Sequence, residues 1–70
     1  MKIYVQVVDK LTNLSQYGMI EEPVQSGLEI QNALLHFGVD YNSVDWVSLE
    51  FPGVKIGKVR DTKKIVTVIL

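Results

Sequence analysis

Lys64-Ile65-Val66-Thr67-Val68-Ile69-Leu70 is the stretch that decides the fold. Side chains on a strand point alternately to its two faces, so a wet face shows as a polar residue at every second position. Here both phases are apolar, Val66/Val68/Leu70 on one and Ile65/Thr67/Ile69 on the other. Such a segment belongs in the middle of a sheet, with a strand on either side. Lys2 to Val8 reads alike, with Ile3, Val5 and Val7 alternating against Tyr4, Gln6 and Val8. The two most apolar strands of the chain are expected to lie side by side at the centre of one sheet.

Working outward from that pair, Arg60-Asp61-Thr62-Lys63 reads as a turn and Val54 to Val59 as a strand. The shift of apolar positions across Gly57 suggests a bulge. Pro52-Gly53 is a turn dipeptide. Before it, Trp46 to Phe51 has period two, with Val47, Leu49 and Phe51 expected inward and Trp46 on the opposite face. Asp40 to Asp45 reads as a short turn or one 3₁₀ turn. After the first strand, Asp9 to Asn13 is rich in residues that bond their own backbone and forms a turn. Leu14 to Glu22 then makes a second strand with a bulge at Gly18; the alternative leaves residues 11–20 as a loop or helical turn.

The helix has the clearest local signals. Ser26 and Glu29 have capping-box spacing. Ile30, Ala33, Leu34 and Phe37 recur at i, i+3, i+4 and i+7, with Leu28 and Leu35 widening the stripe. Gly38 stands where a left-handed residue ends a helix, followed by Val39 for the accompanying apolar contact. The spacing predicts a helix over 27–37.

These elements define a small α+β domain over residues 1–70: a mixed four- to five-stranded sheet with one helix on one face. The stretch from Pro23 to Val39 resembles the strand-end, helix and Gly turn of small sulfur carriers and other ubiquitin-like domains. Setting the first and last strands side by side and parallel, under a single helix, gives the order 2-1-5-3-4, an arrangement that resembles the β-grasp architecture. Those carriers act through a C-terminal Gly-Gly, and no Gly-Gly occurs in this sequence. Carrier activity is therefore not expected.

Composition narrows the functional classes. A 70-residue chain hides only about 60% of the surface its unfolded form exposes, so nearly every apolar side chain is wanted in the core. With no cysteine, the chain lacks disulfides, zinc–thiolate sites and thiol catalysis. No apolar run approaches membrane-spanning length, and the first residues do not form a signal peptide. A cytoplasmic protein is the expectation.

No catalytic or cofactor motif is legible. His36 is the only histidine and has no nucleophile or orienting partner at a recognisable spacing. Glu21-Glu22 would point to opposite faces of a strand, which suits neither a shared cation nor acid–base chemistry. The isolated glycines form no phosphate cradle. Neither enzyme, cofactor, metal nor small-molecule substrate is expected.

The aromatic residues say more. Tyr4 and Trp46 are expected on the face away from the helix, beside Val66 and Val68 or their alternates. A face of that kind exceeds the scattered apolar exposure of a monomer. The partner is expected to be another protein or a second copy of the chain, gripped by Tyr4, Trp46, Val66 and Val68. Lys55, Lys58 and Arg60 of the basic stretch 55–64 would form the polar rim. Two other readings use different surfaces. The basic hairpin could track a nucleic-acid backbone, although it has no aromatic platform and the net charge is −1. The domain could also self-associate through exposed strand edges.

Overall fold

Five segments of the chain become strands, and all five join one antiparallel sheet. The computed structural model describes residues 1–24 and 27–70. Strand β1 (Lys2–Asp9) ends in a turn where Asp9 Oδ1 accepts from the Leu11 amide and Asn13 adopts a φ of 59°. Asparagine is one of the few side chains tolerated in that region. Strand β2 (Leu14–Glu21) returns antiparallel, with Tyr4 opposite Met19 and Gln6 opposite Tyr17. Residues 14–21 are therefore strand rather than loop or helical turn. The ladder runs without interruption past Gly18, so the expected bulge is absent there.

Helix α1 (Glu29–Leu35) is shorter than its apolar stripe. The capping box anchored on Ser26 lies outside the described residues. At the other end, the Val39 amide donates to the Leu34 carbonyl (3.1 Å) and the Gly38 amide to Leu35 (3.1 Å), while Gly38 takes a φ of 69°. This is the left-handed termination expected from Gly38-Val39, and Val39 and Leu34 are both buried. Ala33 and Leu34 are fully buried, and Ile30 and Phe37 pack against the core. Leu28 and Leu35 stay exposed and do not widen the stripe.

A 3₁₀ turn (Tyr41–Ser43), with Asp40 Oδ1 accepting from the Asn42 amide, leads into strand β3 (Val44–Val47). Strands β4 (Val54–Val59) and β5 (Lys64–Ile69) follow. The order is β2-β1-β5-β4-β3, and β1 pairs with β5 antiparallel, Val5 opposite Val68. This corrects the expected parallel central pair and the expected order 2-1-5-3-4. The turn at 60–63 is the physical reason. Asp61 takes a φ of 60° and the Val59 carbonyl accepts from both the amide and the hydroxyl of Thr62. The chain so reverses within four residues, which folds β5 straight back onto β4 and leaves no room for β3 between them. The centrality of β1 and β5 holds.

The phase of β3 is the second correction. Val44 is buried and Trp46 half-buried on the helix side, whereas Val47 and Leu49 are exposed and Phe51 is 71% exposed. Of the expected inward set, Val47 is thus outward, because a slip of one residue turns a strand's side chains to the other face, while Leu49 and Phe51 lie beyond the strand, which ends at Val47. The β3–β4 ladder is also continuous through Gly57, which sits opposite Trp46 without a bulge. The core comprises Ile3, Val5 and Val7 of β1 and Val66 and Val68 of β5 beneath Ala33 and Leu34, closed at one end by Val39 and Val44. Burying each large aliphatic side chain contributes about 1.5–3 kcal/mol.

Candidate protein-binding face

The helix covers one side of the sheet, and strand register determines what the other side carries. Ile3, Val5 and Val7 face the helix, so Tyr4, Gln6 and Val8 face away. Across the β1–β2 ladder their neighbours are Met19, Tyr17 and Ser15; across the β1–β5 ladder they are Ile69, Thr67 and Ile65. Thr67 stands opposite Ile56, which stands opposite Val47. The result is an apolar band, Met19, Tyr4, Ile69, Val54, Ile56 and Val47, that crosses the sheet beside the polar Gln6 and Thr67. Tyr17, Met19, Val47 and Ile69 are the most exposed apolar members of this face. Of the two phases left open for the last strand, Ile65/Thr67/Ile69 is the one on this face.

Charge gathers at the β3 end. Asp45 and Lys58 are opposite each other in the ladder, and Arg60 Nε donates to Asp45 Oδ1 at 2.9 Å. Lys63 and Lys64 lie exposed at the β4–β5 turn.

A second feature lies on the helix side of the same end. Trp46 and Tyr41 pack with ring centroids 5.5 Å apart at 41°, and Lys55 Nζ sits 5.9 Å from each ring centroid. With Leu49, Phe51 and Leu70 they border an open groove of about 550 Å³. Trp46 Nε1 is buried without a hydrogen-bond partner among the described residues.

The residues expected to share one partner surface therefore separate into three places. Tyr4 is on the uncovered face, with Lys58 and Arg60 at the charged end of the β3–β4 hairpin. Trp46 and Lys55 are together, but on the helix side. Val66 and Val68 are fully buried beneath the helix and are unavailable to a partner. Their burial follows from register, since each flanks Thr67 and takes the phase of Val5 and Val7.

Tyr17, Met19 and Val47 belong to the uncovered face and were absent from the expected set. The first two had a signal. A turn at 10–13 closing a hairpin places Tyr17 opposite Gln6 and Met19 opposite Tyr4, on the face that Tyr4 had already marked.

The two adjacent carboxylates do diverge. Glu21 is exposed and its Oε1 lies 3.4 Å from the N-terminal ammonium, whereas Glu22 is buried with Oε1 3.4 Å from His36 Nε2. Among the described residues no three His, Asp or Glu side chains converge as a metal-binding group, and no helix is long and apolar enough to cross a membrane. The chain matches no protein-family model, no curated protein and no solved structure.

Proposed function

We propose that this chain is a non-enzymatic protein-binding domain whose contact surface is the uncovered face of the sheet. One observation carries the reading. Apolar residues from all five strands share one face, centred on Tyr4 and Ile69 and extended by Tyr17 and Met19, while helix α1 packs on the other side. Contiguous apolar surface of that extent, with tyrosines among its members, has the makeup of interface cores and their anchoring residues.

The rim suggests the partner's chemistry. Residues 55–64 carry Lys55, Lys58, Arg60, Lys63 and Lys64 against Asp61 alone. The fitting occupant is a protein with an apolar patch flanked on one side by acidic side chains, which the rim would steer and orient. Val66 and Val68 have no direct part in it, and Trp46 and Lys55 contribute only through a partner that wraps over the β3 edge.

The test compares capture from an extract of the source organism by the wild-type chain, Ile69→Lys, Tyr4→Ala and the helix-surface variant Leu35→Ala. The captured protein is then purified and titrated. Wild type and Leu35→Ala should bind alike, and the two face variants should weaken binding about tenfold or more. A partner bound equally by Ile69→Lys and wild type would overturn the reading. Binding of a single-stranded oligonucleotide with steep salt dependence would instead move the function to the basic hairpin.

A further inference from the structure

We infer that two copies of this chain pair antiparallel along β2, about a two-fold axis at Gly18, joining their sheets into one of ten strands. The contact runs along a strand edge and leaves the centre of the face, at Tyr4 and Ile69, uncovered.

The Glu22 amide donates to the Met1 carbonyl at 2.9 Å, and the N-terminal ammonium donates to the Glu22 carbonyl at 2.8 Å. Antiparallel ladders alternate, so Glu22, Ile20, Gly18, Gln16 and Leu14 turn their amides and carbonyls toward β1. Ser15, Tyr17, Met19 and Glu21 turn theirs outward. Among the described residues nothing pairs with that outer edge. The sheet's other edge differs. Strand β3 is four residues long, and the outward amide of Val44 is already donated to the Tyr41 carbonyl.

Sheet proteins usually protect a free edge with lysine, proline, a bulge or brevity. Strand β2 has none of these. It is eight residues long, its ladder to β1 is unbroken, and Leu14 to Ile20 contains neither charge nor proline. Tyr17 is 67% and Met19 60% exposed on it.

A second copy fits this edge in one register. With Gly18 opposite its own counterpart, Tyr17 meets Met19 and Ser15 meets Glu21 of the other copy. All four outward residues on each strand are then paired, closing about eight hydrogen bonds. Tyr17 and Met19 form two equivalent aromatic–thioether contacts, and the one charge, Glu21, faces a hydroxyl rather than its like. Moving the axis toward Glu21 by one residue sets Ser15 against Pro23, which has no amide hydrogen. Moving it the other way sets Glu21 against Asn13, whose φ of 59° takes it out of the extended conformation. The edge is self-complementary, as a two-fold interface requires. Both uncovered faces end up on the same side of the joined sheet.

Sedimentation of the wild-type chain from micromolar to millimolar concentration should show a monomer–dimer equilibrium. Met19→Pro deletes an outward amide hydrogen while sparing the β1 ladder. It should raise the dimer dissociation constant about tenfold or more, with circular dichroism confirming the fold. Ile69→Lys, which blocks face-to-face packing, should leave the dimer intact. Register is read from Gly18→Cys in this otherwise cysteine-free chain. A β-carbon there meets only Phe37 Cζ at 3.5 Å, an ordinary contact. Mild oxidation should link it to its counterpart much faster than Asn42→Cys. A wild-type monomer at every concentration, loss of the dimer in Ile69→Lys, or equal crosslinking of the two cysteine variants would each overturn the proposal. A monomer that still captures a partner through its face would leave the proposed function untouched.

Discussion

Gly57 stands directly opposite Trp46 in the β3–β4 ladder, and the indole occupies the space a side chain at 57 would need. A β-carbon on residue 57 would lie 2.9 Å from Trp46 Cε3, 2.9 Å from the Asp45 carbonyl oxygen and 2.5 Å from Val44 Cγ1. Two of those neighbours are a ring and a backbone atom, neither of which can swing aside. Gly57→Ala should therefore destabilise the fold by about 1–3 kcal/mol through overpacking. Urea denaturation followed by circular dichroism should show a lower midpoint at unchanged slope.

Gly38 poses the opposite problem. A β-carbon there would meet nothing within 4 Å, yet the residue holds a φ of 69°. Gly38→Ala should cost about 1–2 kcal/mol, all of it conformational. Gly38→Asn should recover part of the loss, because asparagine adopts the same region more readily. Thermal unfolding resolves the pair, since 1 kcal/mol moves the midpoint by about 4–8 °C in a domain of this size.

Leu34 and Leu35 are adjacent and energetically far apart. Leu34 is fully buried and Leu35 is 65% exposed. Leu34→Ala should cost about 2–5 kcal/mol, a large share of a small domain's stability. Leu35→Ala should stay within about 0.5 kcal/mol of wild type. Equal effects would mean that the helix packs on a different face.

Arg60 and Asp45 make a short contact between two side chains that are each more than half exposed. Solvent screening limits such a pair to about 0.2–1 kcal/mol. A double-mutant cycle with Arg60→Ala and Asp45→Ala should return a coupling in that range, shrinking as salt is added.

The contrast between β5 and β3 explains which parts of this fold are readable in advance. Strand β5 is apolar at both phases, so only a central position suits it, and no distant residue is needed to reach that conclusion. Strand β3 lies in a stretch where both phases offer an apolar set, Val44 with Trp46 or Val47 with Leu49 and Phe51. Pattern alone cannot choose between them. The choice rests on Gly57, across the ladder, which provides the hollow that admits the indole on the helix side. The partner surface inherits the same ambiguity: placing Trp46 on the wrong face groups it with Tyr4, when the two point away from each other. Strand order depends on how tightly 60–63 turns, a backbone property that Asp61 and Thr62 support and that the apolarity of the strands does not encode. Tyr17 and Met19 needed only the β1–β2 register, which the length of the 10–13 turn already implied.

The antiparallel meeting of β1 and β5 means that the sheet is an up-and-down meander with one hairpin turn missing. Tyr4 faces Ile69, so the start of β1 and the end of β5 are neighbours, while the remaining strand contacts follow sequence order. A circular permutant joining Leu70 to Met1 through a short Gly-containing turn, and opened between β2 and α1, would run β3-β4-β5-β1-β2 with every ladder local. Its central pair would form across a few residues instead of nearly the whole chain. Folding rates follow that separation, so stopped-flow refolding of the permutant should be faster than that of the natural connectivity.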